Sequence, residues 1–106
     1  LQAVVNWLRG QMARFKKRAW GWYLVLLNFR QFKVKLLRFK LGGQLSVQYH
    51  NHRSELWLFL TGVHKGNFWL INKGEVHTYY ANGERPLVLE IQYGEKCNES
   101  DIVRIP

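Results

Sequence analysis

Residues 43–57 read Gly43-Gln44-Leu45-Ser46-Val47-Gln48-Tyr49-His50-Asn51-His52-Arg53-Ser54-Glu55-Leu56-Trp57. Gln48 and His50 stand two apart, so on a strand they point to the same face. Glu55 comes five residues after His50, which leaves room for a tight turn and the start of the next strand. Gly42 and Gly62 bracket this group. A second group follows, with Gly66, Asn72, Gly74, His77 and Asn82. Together the two offer an amide oxygen, two imidazoles and a carboxylate. A mixed nitrogen and oxygen donor set suits the borderline divalent metals. Its ligands must converge from neighbouring strands onto one point.

Working outward, the chain from Trp20 onward reads as all-β. Short runs rich in Val, Ile, Phe, Tyr and Trp alternate with Gly, Asn and Asp breaks. The pattern predicts strands over 21–27, 32–40, 45–50, 55–61, 67–72, 76–81 and 87–93, and a last short one over 101–105. Gly42-Gly43, Asn72-Lys73-Gly74 and Asn82-Gly83 are turn signals. Residues 1–17 read instead as a short basic amphipathic helix. Leu1, Val4, Val5, Leu8, Met12 and Phe15 recur at helical spacing, with Arg9, Arg14, Lys16 and Lys17 elsewhere. Gly10 weakens that helix by about 1 kcal/mol relative to alanine. Two units follow: an N-terminal helical extension, 1–17, and a β domain, 18–106.

Period two also sets the facing. If Gln48, His50 and Glu55 point inward, so do Trp57 and Phe59, while Val47, Tyr49, Leu56, Leu58 and Leu60 point outward. Strands apolar on both faces must be covered on both. A homodimer through the outer sheet is expected; the alternative is that the N-terminal helix covers that face in the same chain.

The chain has 106 residues, enough for one core. Apolar residues make up 47% and aromatics 15%, which excludes a disordered chain. The one cysteine, Cys97, excludes an internal disulfide framework and permits a reducing compartment. In its polar tail Cys97 is not expected to be a reactive thiol. The longest apolar run, Trp20 to Leu27, is shorter than the ~20 residues that span a bilayer. A basic stretch, Arg14 to Arg18, precedes it, as in a secretory signal. No small-residue cleavage site follows, and Asn28-Phe29-Arg30 interrupts the run. A cytoplasmic protein is expected.

Net charge is +9, yet residues 1–54 carry eleven Lys/Arg and no acid, whereas 55–106 carry five Lys/Arg and all seven acids. Such asymmetry invites an anionic partner at residues 1–40. Basic outer faces of strands and helix are the plainer account.

Across Gly42–Gly62 and Gly66–Asn82 the sequence resembles the two motifs of the cupin superfamily, most strongly at residues 43–57. More narrowly, it resembles the cupin domain of type II mannose-6-phosphate isomerases, often fused to mannose-1-phosphate guanylyltransferases. Arg18-Ala19-Trp20-Gly21-Trp22-Tyr23 is similar to that family's opening strand. Leu87-Val88-Leu89-Glu90-Ile91-Gln92-Tyr93-Gly94 and Glu99-Ser100-Asp101-Ile102-Val103-Arg104 are similar to its closing strand and tail. The resemblance covers residues 18–106 and implies a double-stranded β-helix, or jelly-roll barrel. It implies metal ligands Gln48, His50, Glu55 and His77. Zinc is the expected ion, with manganese, iron or nickel as alternatives. His52 is the alternate ligand in place of Gln48. Two departures stand out. Only Val63, His64 and Lys65 lie between Gly62 and Gly66, where related domains place a further β-hairpin. His77 also lies one residue further from Asn82 than the pattern has it, which a bulge would absorb.

Phosphate recognition falls to Arg53, Lys35 and Arg104, since arginine binds phosphate bidentately and lysine as a point charge. Glu90 and Gln92 share a face of the last long strand. Glu90 is the candidate base for an aldose–ketose isomerisation, and Gln92 a substrate contact. Each has a plainer reading, as surface charge or a paired strand carboxylate. Two functions compete: a metal-dependent isomerase of a sugar phosphate, and a non-catalytic cupin module in a larger assembly whose basic half grips an anionic partner. Nucleic-acid binding stands third, with no recognised motif.

Overall fold

The computed structural model describes the backbone of residues 1–106 and the side chains of 1–10 and 14–106. Helix α1 runs Gln2–Arg14 and is followed by strands β1 Phe15–Arg18, β2 Gly21–Asn28, β3 Phe32–Phe39, β4 Gln48–Tyr49, β5 Arg53–Phe59, β6 Phe68–Ile71, β7 Leu87–Gly94 and β8 Val103–Arg104. Six strands form one antiparallel sheet in the order β1-β2-β3-β7-β5-β6, and β4 pairs with β8 in a second.

The helix stops short of the expected 1–17. Phe15-Lys16-Lys17-Arg18 turns instead into the edge strand β1, registered on Trp22 and Leu24 of β2. The Phe15 and Trp22 rings lie 5.3 Å apart. Lysines and arginine on an edge strand discourage pairing with another chain. Among the described residues helix α1 contacts no strand other than β1 and β2. Its Trp7 is 62% exposed, and Val4 and Leu8 are exposed too. The expectation that this helix covers the outer sheet in its own chain is therefore corrected. The Met12 side chain lies outside the described residues.

The predicted strands 45–50 and 76–81 do lie antiparallel, but as an irregular pair. Bridges join Gln44 to Tyr80 and Gln48 to His77, and the register slips by one residue between them. The extra residue falls on the 44–48 side rather than after His77. Between β5 and β6 the chain makes one tight connection, with Gly66 N donating to Phe59 O at 2.8 Å and Lys65 N to Gly62 O at 3.1 Å. No further hairpin stands there.

Alternation along β3, β5 and β7 divides inner from outer side chains. Register aligns the inner ones into rows. Tyr23, Leu37, Val88 and Phe59 form an apolar row. Lys35, Glu90 and Trp57 form the next, then Lys33, Gln92 and Glu55. The apolar end is a packed aromatic core, with Phe39 at 4.8 Å from the Tyr79 ring and 5.8 Å from Trp57. On the outer face Leu56, Leu58, Leu89 and Ile91 are half-buried, and Phe68 is 70% exposed.

Candidate metal centre

The polar end of the inner face holds the site. His50 lies in the turn that follows β4, Glu55 on β5, and His77 on the segment bridged to Gln48. All three are buried, and one ligand atom from each lies within 4.8 Å of the others. Gln48 and His77 exchange both backbone hydrogen bonds, at 2.9 and 2.8 Å, which fixes the second imidazole against the first motif.

The tautomers follow from the backbone. His50 Nδ1 is 2.6 Å from the Asp101 carbonyl oxygen, and His77 Nδ1 is 3.0 Å from that of Glu75. A carbonyl only accepts, so each Nδ1 carries a proton, and the Nε2 of a neutral ring is left to present a lone pair. Burial first, then the Arg53 charge, lowers the His50 imidazole from 6.5 to about 4. It is neutral near pH 7. Both Nε2 atoms are buried without a hydrogen-bond partner. Yet His50 Nε2 stands 3.2 Å from Glu55 Oε2, and His77 Nε2 stands 3.9 Å from Glu55 Oε1. These are acceptors facing acceptors, so the arrangement calls for a cation between them. Zinc bonds of ~2.0–2.1 Å in a tetrahedron place ligand atoms roughly 3.3 Å apart. The donor set fits such an ion.

Glu55 is braced from behind. Arg53 Nε and Nη2 each stand 3.0 Å from Glu55 Oε2, and Trp57 Nε1 donates to Oε1 at 3.2 Å. A carboxylate offers about four lone-pair sites, so one remains for an ion. Arg53 also donates to the Asn98 carbonyl at 2.8 Å. Its guanidinium is thus committed to holding the site together.

Beside this cluster opens a cavity of about 540 Å³, within the range of small-molecule sites. Gln48, Lys35, Arg53, Glu55, Glu90 and Arg104 all line it. The Gln48 amide oxygen accepts from the Ser46 hydroxyl at 2.8 Å. Gln92, wholly buried, donates to Glu90 at 2.6 Å. Burial, then the Glu55 charge, raises the Glu90 carboxyl to about 7, while Lys35 and Arg53 hold it back. Arg104 is exposed on β8 opposite Gln48. His52 stays outside the cluster, half-buried, with Nδ1 3.6 Å from Glu95 at the surface. Cys97 is buried and its thiol is raised by that burial, as expected of an inert cysteine.

Three residues with parts here went unassigned from sequence. Asp101 accepts from the Asn51 and His52 amides at 2.9 Å each and orients His50 through its carbonyl. Lys33 lies two before Lys35 on the same inner face, a period-two signal that was open to reading. Glu99 meets both lysines; nothing in its local sequence gives that away.

A sequence model of the family described as mannose-6-phosphate isomerase C-terminal matches residues 9–106. The chain is 36% identical to a mannose-1-phosphate guanylyltransferase of Klebsiella pneumoniae, across 98% of this chain and 26% of that protein. It is also 36% identical to an Escherichia coli protein of the same name, across 83% of this chain and 21% of that protein. It therefore corresponds to a minor part of the length of each. Among solved structures, Bacillus subtilis oxalate decarboxylase superposes with a TM-score of 0.75 at 14% identity, over 86% of this chain and 29% of that one. A Klebsiella pneumoniae protein with a double-stranded β-helix domain superposes at 0.64 with 15% identity, over 76% of this chain and 75% of that one. These likenesses establish the fold, a cupin double-stranded β-helix. The sequence match goes further: this chain belongs to the family of mannose-6-phosphate isomerase C-terminal domains.

Proposed function

We propose that this domain is a metal-dependent isomerase of a sugar phosphate, mannose 6-phosphate being the substrate that the family's name suggests. The observation that carries the reading is the pair of partnerless Nε2 lone pairs turned toward one buried carboxylate. His50, Glu55 and His77 would hold the ion, zinc before manganese, iron or nickel, with the Gln48 amide as a fourth ligand. When bound, the ion supplies Lewis-acid polarisation of a sugar oxygen.

The chain's own residues do the rest. Glu90, held by Gln92, takes the proton from the carbon beside the carbonyl and returns it to the neighbouring carbon. The hydroxyl proton passes between the two oxygens, so no atom is gained or lost. A carboxyl poised near 7 suits a base that must both take and return a proton. Lys35 holds the phosphate at the cavity wall, which Arg104 also lines, and Arg53 keeps Glu55 in place. Trp57 closes the apolar end against water.

Elemental analysis of protein purified without chelator tests this, beside a His50→Ala/His77→Ala variant. One divalent ion per chain, absent from the variant, together with conversion of mannose 6-phosphate to fructose 6-phosphate, is the expected result. A chain that holds no ion after loading overturns the reading.

A second reading has its own support. The exposed apolar side chains of α1 and the outer sheet suit a module of a larger assembly, paired with a second copy through that sheet. In that reading the basic half contacts an anionic partner and no turnover occurs. Among the described residues no helix is long and apolar enough to cross a membrane.

A further inference from the structure

Lys33 and Lys35 are the two inward lysines of β3, with side chains only 6% exposed. Buried ammoniums require counterions. Both find the same one: Lys33 Nζ stands 3.1 Å and Lys35 Nζ 2.5 Å from Glu99 Oε1. The Glu99 side chain is 42% exposed, so it reaches in from the solvent side. Two ammoniums thus share one carboxylate oxygen. The other charges facing them are Arg53, which is bonded to Glu55, and Glu90, which stands opposite Lys35, feels its charge and accepts from the neutral Gln92 amide.

We infer that Glu99 is an internal stand-in for a phosphate monoester, which binds between Lys33 and Lys35 by displacing that carboxylate. The inference deepens the reading of the cavity as a sugar-phosphate site and rests on it. A phosphate monoester brings a charge near −2 and three acceptor oxygens at neutral pH. It matches two ammoniums where one carboxylate leaves a positive charge over, and it offers each lysine its own oxygen.

The position of Glu99 makes the exchange easy. It lines the 540 Å³ cavity together with Lys35, and a second cavity of about 620 Å³ together with Lys33, Arg30 and Lys96. Glu99 therefore borders two spaces that both carry basic side chains. The main chain on either side is tied down. Cys97 N donates to Arg30 O, Arg53 holds the Asn98 carbonyl, and the Asp101 carboxylate accepts two amides. Only the Glu99 side chain has to swing out, while the tail stays in place.

The test is titration with inorganic phosphate, read by calorimetry on the whole chain. Glu99→Gln is expected to tighten phosphate binding about ten-fold, since the competing charge is gone. Glu99→Gln/Lys35→Gln is expected to lose that gain. Equal affinity in wild type and Glu99→Gln overturns the proposal, as does a gain that survives loss of Lys35. A wild-type measurement guards against a variant that fails to fold. At saturating phosphate the Glu99 carboxyl carbon resonance moves to the position of a solvated glutamate; a resonance that does not move also overturns the proposal. Absence of metal or turnover with Glu99-dependent phosphate binding removes only the isomerase reading. An active metal enzyme whose phosphate affinity ignores Glu99 removes only this one.

Discussion

Two ends of one inner sheet face differ sharply. Tyr23, Leu37, Phe39, Phe59 and Val88 pack a buried, aromatic-rich core. In the rows that follow along the same strands stand Lys33, Lys35, Arg53, Glu55, Glu90 and Gln92, all buried as well. Backbone, register and period are the same at both ends. The apolar end gains from leaving water, at about 25 cal/mol per Å² of apolar surface. The charged end loses solvation and recovers it only through pairings such as Arg53–Glu55 and Lys35–Glu99. The lesson is a division of labour, in which one end holds the fold and the other spends stability on a site.

Breaking the apolar end should have the largest effect. Phe39→Ala is expected to cost roughly 3–5 kcal/mol in urea unfolding, because it leaves a cavity among three aromatic rings. The folded fraction should still bind metal one to one. Next comes the charged end. Glu90→Gln should lower isomerisation on the order of 10²-fold or more. Its unfolding midpoint should hold or rise, since a buried carboxyl raised to about 7 is a strained guest. That opposite pairing of outcomes is what two independent ends require, and a Glu90→Gln protein that unfolds early would dissolve the distinction.

A smaller effect sharpens the contrast by pH. Burial raises the Glu99 carboxyl, but Lys35 and Lys33 outweigh it and hold the group at about 2, below its ordinary 4.5. A carboxylate depressed in the folded state stabilises fully above its unfolded value. That contribution is lost as pH falls from 4.5 toward about 2. Urea midpoints of wild type and Glu99→Gln should therefore converge on acidification. The smallest stability change is expected outside both ends: Phe68→Lys on the outer face should alter stability by about 0.5 kcal/mol or less. Analytical ultracentrifugation should nonetheless show a shift from dimer to monomer, and an unchanged sedimentation profile would remove the outer sheet as a self-interface.

Much of this was open to reading in the sequence, for physical reasons. Alternation marks β3, β5 and β7 because each has one face deeper than the other, and those strands fell within two residues of expectation. The spacing of His50, Glu55 and His77 reads well because strand period and one turn fix their facing. Edge strand β1 did not read, since Phe15-Lys16-Lys17-Arg18 continues the basic periodicity of the helix before it. Pairings across the chain did not read either. Glu99 meets Lys33 across 66 residues, and no local pattern encodes the path of the tail. His52 looked like a ligand by type, and only the turn before β5 sends it toward Glu95.

The Asp101 clasp carries a consequence for the order of assembly. Its carbonyl orients His50 from 51 residues downstream, and its carboxylate secures the turn that holds both histidines of the first motif. A nascent chain can pair β1, β2 and β3, and β5 with β6, before Asp101 leaves the ribosome. The imidazole has no acceptor until then. The cluster of His50, Glu55 and His77 therefore takes its full hydrogen-bonded form only once the tail is in place.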